Sequence, residues 1–195
     1  MAPRRRLSST TTSELAHAAN VLGALSLAVV DRIHGAVADA GVDGETSAAA
    51  LSALHHFLDA PTIGRLRGVV GRTSPAAVRM VDRLEAGGYA RRRAGDDARA
   101  SHVELTAKGR RLASRVSGAR QATLEAALAD LTPAERRRLA GLLGRVMENV
   151  VQTKLARPLD EGTGWTCRLC DPHACGREHG ACPAANAVRA HAPPP

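Results

Sequence analysis

Residues 72–105, RTSPAAVRMVDRLEAGGYARRRAGDDARASHVEL, constrain this chain most, because a helix and a hairpin are punctuated back to back within them. Ser74 offers a hydroxyl to the free amides of a first helical turn. Pro75 then falls at the first helical position, where a missing N–H costs nothing. Val78, Val81 and Leu84 recur at three-residue steps and predict the buried stripe, which turns Arg79, Met80 and Arg83 outward. Gly87-Gly88 predicts the helix end, one of the two in the left-handed conformation. Tyr89–Arg93 reads as a strand, Gly95-Asp96-Asp97 as a turn, and Ser101–Leu105 as a second strand with Val103 and Leu105 on one face. Upstream, residues 61–71 predict a short helix with Ile63, Leu66 and Val69 or Val70 inward.

Helix, short turn, helix, hairpin is a winged helix-turn-helix, a unit that presents its second helix to the major groove of DNA. Charge agrees with this. Residues 61–111 hold twelve basic and five acidic groups, whereas residues 1–60 hold four and six. Most of the net charge of +8 therefore sits on the proposed reading unit, where phosphate neutralisation requires it.

At these residues the sequence resembles the MarR family of bacterial transcription regulators. The matching stretches are S-P-A-A-V-R-M-V-D-R-L-E-A-G-G-Y (74–89) and D-A-R-A-S-H-V-E-L-T-A-K-G (97–109), and the likeness spans roughly residues 13–152. The resemblance implies a homodimer of two reading heads on a layer of long helices. It implies that Arg99 in the wing reaches the minor groove or its phosphates, with Asp97 orienting it. It also implies a small-molecule effector between dimer layer and reading head, which the sequence does not identify.

The flanking segments fit a mainly α fold. One Trp, one Tyr and one Phe in 195 residues leave Ala, Leu and Val to build the core, which suits packed helices. Residues 1–12 are expected to be a disordered basic arm. A long helix is predicted from Thr12 or Ser13 to Ala40, with Leu15, Leu22, Leu25, Val29, Ile33 and Val37 at helical spacing. Glu45–Leu58 predicts the next, with Ser47 as a possible cap. Thr106 caps a further long helix, and Thr132-Pro133-Ala134-Glu135 has the form of a capping box that starts the last. Its Leu139, Leu142, Leu143, Val146, Val150 and Val151 make an apolar face wider than one domain needs, which predicts dimerisation. The expected division is arm 1–12, dimerisation helix 13–45, winged helix-turn-helix 46–105, dimerisation helices 106–157 and tail 158–195.

The tail holds all four cysteines as Cys167-x2-Cys170-x4-Cys175-x6-Cys182-Pro183. Four thiolates within 16 residues fit tetrahedral Zn²⁺. The Cys-Pro ending and short loops also fit an iron–sulfur cluster. His173 and His179 are alternative ligands, and thiol chemistry without metal is the other reading. No run is expected to be apolar over the ~18 residues of a membrane span, and no signal-type segment follows Arg4-Arg5-Arg6, so a cytoplasmic protein with reduced thiols is expected.

The expected function is a homodimeric DNA-binding transcription regulator, a repressor rather than an enzyme, on a pseudo-palindromic operator with half-sites ~10 bp apart. The residues expected at DNA are Thr73, Ser74, Pro75, Ala76, Arg79, Met80, Arg83, Arg91, Arg93, Asp97 and Arg99. The expected signal is redox or metal state sensed at the four cysteines. The alternatives are a small-molecule-responsive regulator with a structural zinc tail and an architectural DNA-binding protein. No acid/base constellation, nucleophile–base pair or phosphate-binding Gly loop supports an enzyme or electron carrier.

Overall fold

The core is organised around a helix made almost entirely of small residues. In α2 (Glu45–His56), Ser47, Ala48, Ala49, Ala50, Leu51, Ser52 and Ala53 are all buried. Seven consecutive buried positions turn through nearly two helical turns, so neighbours cover this helix on every side. Short side chains let those neighbours come close, which is how a chain with so few aromatics fills a core. A computed structural model describes residues 9–94, 101–155 and 164–191.

Around α2 stand α1 (Ser9–Asp39), α3 (Ile63–Val70), α4 (Ser74–Ala86), the strands β1 (Ala90–Ala94) and β2 (Ser101–Leu105), and α5 (Ala107–Ala127). The antiparallel register pairs Ala90 with Leu105 and Ala94 with Ser101. Thr62 bridges to His102, and Val103 donates to the Pro61 carbonyl at 2.9 Å, so the wing is pinned to the entry of α3. Ile33, Val37, Leu51, Leu66, Val81, Val103, Leu112 and Val116 share one buried cluster. Then α6 (Pro133–Leu155) runs outward, and α7 (Pro183–His191) packs on its far end.

Several starts and stops follow the expected chemistry. Thr106 accepts from the Gly109 amide at 3.0 Å. Thr132 and Glu135 form a reciprocal box, with Thr132 N–H donating to Glu135 Oε2 at 2.9 Å and Glu135 N–H to Thr132 Oγ1 at 3.3 Å. Gly88 turns left-handed at φ 68°. Others are shifted. Thr73 rather than Ser74 is the N-cap of α4, which puts Pro75 second in the helix. Ser47 lies inside α2 and is buried, while Gly44 occupies the cap. The first helix starts at Ser9, earlier than expected.

Two faces have no cover among the described residues. On α1 only the end nearest α2 is buried, at Ile33 and Val37, while Leu15, Val21, Leu22, Leu25, Leu27 and Val30 are exposed. On α6 only Val151 is buried, and Leu142, Leu143, Val146 and Val150 are exposed. The expectation that no segment has the apolar length of a membrane span does not hold for α1. Ser13–Asp39 is 27 residues long with a window of mean hydropathy 1.5, because Ala, Leu and Val accumulate between widely spaced charges.

Candidate nucleic-acid interface

The phase of α4 decides which side chains this unit can show to a partner. Ala77, Met80, Val81 and Leu84 are buried, an i, i+3, i+4, i+7 set that lies against α2 and α3. Met80 is therefore a core residue at 0 % exposure and not the outward contact expected of it, whereas Val78 is 41 % exposed. The three-residue steps 78, 81, 84 sweep around the helix and miss the centre of the buried stripe. Thr73, Ser74, Pro75, Val78, Arg79, Asp82 and Arg83 face solvent, and Ala76 is half-buried.

Arg79 and Arg83 are one turn apart on the open face, and neither has an ion-pair partner among the described residues. Asp82 would repel a phosphate there, but it is engaged. Arg92 Nη2 donates to Asp82 Oδ1 at 2.6 Å, and the same guanidinium pairs with Glu85. The Arg92 backbone N–H also donates to Glu85 Oε1 at 2.6 Å. Arg92 was not among the expected site residues. It points to the opposite side of β1 from Arg91 and Arg93, and it locks the wing root to α4. At the helix start, Arg67 Nη1 from α3 donates to Ser74 Oγ at 3.2 Å, while the Thr73 hydroxyl caps no amide.

On the wing, Arg91 Nη2 and Arg93 Nη1 both reach Glu104, at 3.0 and 2.7 Å. Hydrogen bonds from Arg93 and then Arg91 hold the Glu104 carboxyl below its usual range. Two guanidiniums share one carboxylate, so this face keeps a net positive charge, and both arginines stay largely exposed at 64 % and 63 %. Asp97 and Arg99 lie outside the described residues.

A second cluster sits behind the reading unit. The segment from Gly164 carries the four cysteines and leans on α2 and α3. Trp165 N–H donates to the Val69 carbonyl at 2.8 Å, and the Trp165 and Phe57 rings meet edge to face at 6.3 Å. Arg168 pairs with Glu45, and that hydrogen bond holds the Glu45 carboxyl below its ordinary value. A side chain at Gly164 would place Cβ 2.8 Å from the Val69 oxygen, so only glycine allows this approach. Cys182 is buried and the other three cysteines are half-buried.

The thiols hydrogen-bond in two pairs, and Cys167 also feels Cys182 and Cys175 across them. The hydrogen bond between Cys167 and Cys170 pushes Cys167 up and Cys170 down, the latter to about 6 with Arg120 and Arg177 assisting. Burial, and then Cys182, pushes Cys175 up to about 11. His173 is turned to solvent beside Glu178 at 3.4 Å, and His179 is exposed. Among the described residues no three His, Cys, Asp or Glu side chains are grouped so as to hold a metal ion.

A cleft of about 430 Å³ opens between the end of α2 and the wing, lined by Leu54, His55, Leu58, Glu104, Leu105 and Arg110 among others.

No family model matches the sequence, and no curated protein matches it. Solved structures do. The transcriptional regulator PA3341 is 26 % identical with a TM-score of 0.53, covering 68 % of this chain and 96 % of its own. A MarR family protein from Bacillus stearothermophilus is 19 % identical with a TM-score of 0.61, covering 74 % and 98 %. A mutant of S. aureus MepR, solved bound to an oligodeoxyribonucleotide, is 16 % identical with a TM-score of 0.53, covering 68 % and 96 %. The chain has the MarR-type winged-helix fold.

Proposed function

We propose that this chain is a cytoplasmic, homodimeric, sequence-specific DNA-binding transcription regulator that represses by occupying a pseudo-palindromic operator. The observation that carries the reading is the open face of α4. Arg79 and Arg83 stand there without carboxylate partners among the described residues, while the competing Asp82 and Glu85 are neutralised by Arg92. Exposed arginines gain little from surface pairing, and a helix that enters the major groove uses such free guanidiniums for base edges or phosphates. The DNA-bound MepR relative supports the same partner for this fold.

In this reading Thr73 and Ser74 receive a phosphate at the start of α4, where free amides and the helix dipole favour an anion. Pro75 and Ala76 allow close approach because they are small. Arg91 and Arg93 exchange Glu104 for phosphates of the flanking backbone, and Arg99 with Asp97 extends that contact along the wing. Met80 stays in the core and touches no DNA. The bare faces of α1 and α6 meet their copies in a partner subunit, so the apolar length of α1 is a subunit seam and not a membrane span. An effector in the cleft beside α2 would press on the wing and on the helix that supports α4.

The test is a fluorescence-anisotropy titration with duplexes selected from a random pool. Arg79→Ala and Arg83→Ala each weaken the selected site by about 1–3 kcal/mol and relax its sequence preference. Equal losses on selected and unselected duplexes would move the reading to an architectural, sequence-indifferent binder.

A further inference from the structure

We propose that the cysteine segment is a single-ion zinc site, Cys167, Cys170, Cys175 and Cys182, whose loading clamps the end of α6 to the reading head. The inference stands on the segment itself and does not depend on DNA being the partner.

Backbone turns make the two thiol pairs. Cys170 N–H donates to the Cys167 carbonyl at 2.9 Å, which closes the two-residue loop. Ala181 N–H donates to the Gly176 carbonyl at 2.9 Å, which closes the six-residue loop and sets Cys175 beside Cys182. That closure needs glycine at 176. Its φ is 64°, and an added Cβ would lie 2.9 Å from the Ala181 Cβ. Two side-by-side pairs are two opposite edges of a tetrahedron, and they need only close on one another to surround an ion with Zn–S bonds of about 2.3 Å. Among the described residues no three of these side chains are yet grouped to hold an ion, so loading would draw the two pairs together. A 4Fe–4S cluster gives each thiolate its own iron and spreads the sulfurs wider, which tight pairs resist, and a 2Fe–2S cluster on the same two pairs is told from zinc by iron and sulfide analysis.

Charge fits the same ion. Four thiolates around Zn²⁺ leave a net −2. Arg120 Nη2 lies 4.0 Å from Cys170 Sγ, and Arg177, stacked over Phe57, and Lys154, hydrogen-bonded to the Gly164 carbonyl, add positive charge near the thiols. Such outer-shell cations offset the excess charge and orient the ligands. The turned-away His173 leaves the thiols as the ligand set.

The placement of the site gives it leverage. On one side Cys167, Cys175 and Cys182 pack with Met147, Val151 and Leu155 of α6. On the other side Trp165 and Arg168 grip Val69, Phe57 and Glu45 of the reading head. An ion that unites the four thiols therefore stiffens a strut between the outer helix and the head.

The full chain, purified under reducing conditions, would be analysed for metal and followed by the emission of Trp165, its only tryptophan. The expected result is about one zinc per chain, an emission shift on chelation that zinc alone reverses, and zinc-dependent protection of all four thiols from labelling. Arg120→Ala lowers zinc affinity roughly 10–100-fold, and Cys167→Ser with Cys182→Ser abolishes stoichiometric binding. Should that variant misfold, thiol protection in the unaltered chain still decides the matter. Iron with acid-labile sulfide, no bound metal, or thiols labelled equally with and without zinc would overturn the site. Zinc bound with no change in Trp165 emission would overturn the clamp.

Discussion

Single residues here are constrained mostly by backbone approach and by buried polarity. Gly109 opens α5 so close to the wing that an added Cβ would sit 1.8 Å from the Tyr89 carbonyl oxygen. Gly109→Ala is expected to cost about 1–3 kcal/mol in chemical denaturation, even though alanine favours a helix. Ser52 presents the opposite case. Its hydroxyl is buried without a partner among the described residues, so Ser52→Ala should be neutral or raise stability by about 1 kcal/mol. Glu45 is held below its ordinary value by Arg168, so its contribution is present above about pH 4.5 and is lost as pH falls through the lower folded value. Trp165 emission should report that loss below pH 4.5, and Glu45→Gln should flatten it. The residue-scale signals that were legible in the sequence are those with local causes. The Thr106 cap, the Thr132–Glu135 box and the turn at Gly88 need only their own neighbours. Gly164 and Arg168 carry no such signal, because what constrains them is a contact with Val69 and Glu45 far away in the chain.

At the scale of elements, α4 divides into a face that holds the fold and a face left free. Met80→Ala should cost about 2–5 kcal/mol of stability, and at temperatures where the variant is folded its DNA affinity should be unchanged. The paired arginines of the wing behave differently from those of α4. Arg91→Ala with Arg93→Ala should weaken all duplexes alike and reduce the dependence of log affinity on log salt by roughly one per lost phosphate contact. The existence and order of these elements could be read from periodicity and from Gly and Pro. The phase of α4 could not, because Val78 and Met80 are both apolar and three-residue steps fit either face. Burial of Ala77 decides between them, and alanine is too neutral to announce it.

For the whole molecule, the open faces of α1 and α6 set the account. Leu22, Leu25, Leu142 and Leu143 are all exposed in the single chain, an arrangement that a soluble monomer rarely sustains. The excess of apolar positions on these helices was visible in the sequence, as was the surplus of charge on the reading head. The docking of the cysteine segment was not, since it joins residues more than a hundred positions apart.

The most direct measurement is the mass of the complex with a selected duplex, by sedimentation or light scattering, alongside the half-site spacing of that duplex. The account predicts two chains per duplex, half-sites about 10 bp apart, and loss of the complex when Leu25→Asp and Leu143→Asp break the subunit seam. One chain per duplex, or a complex that survives those substitutions with no preference for a two-fold site, would contradict it.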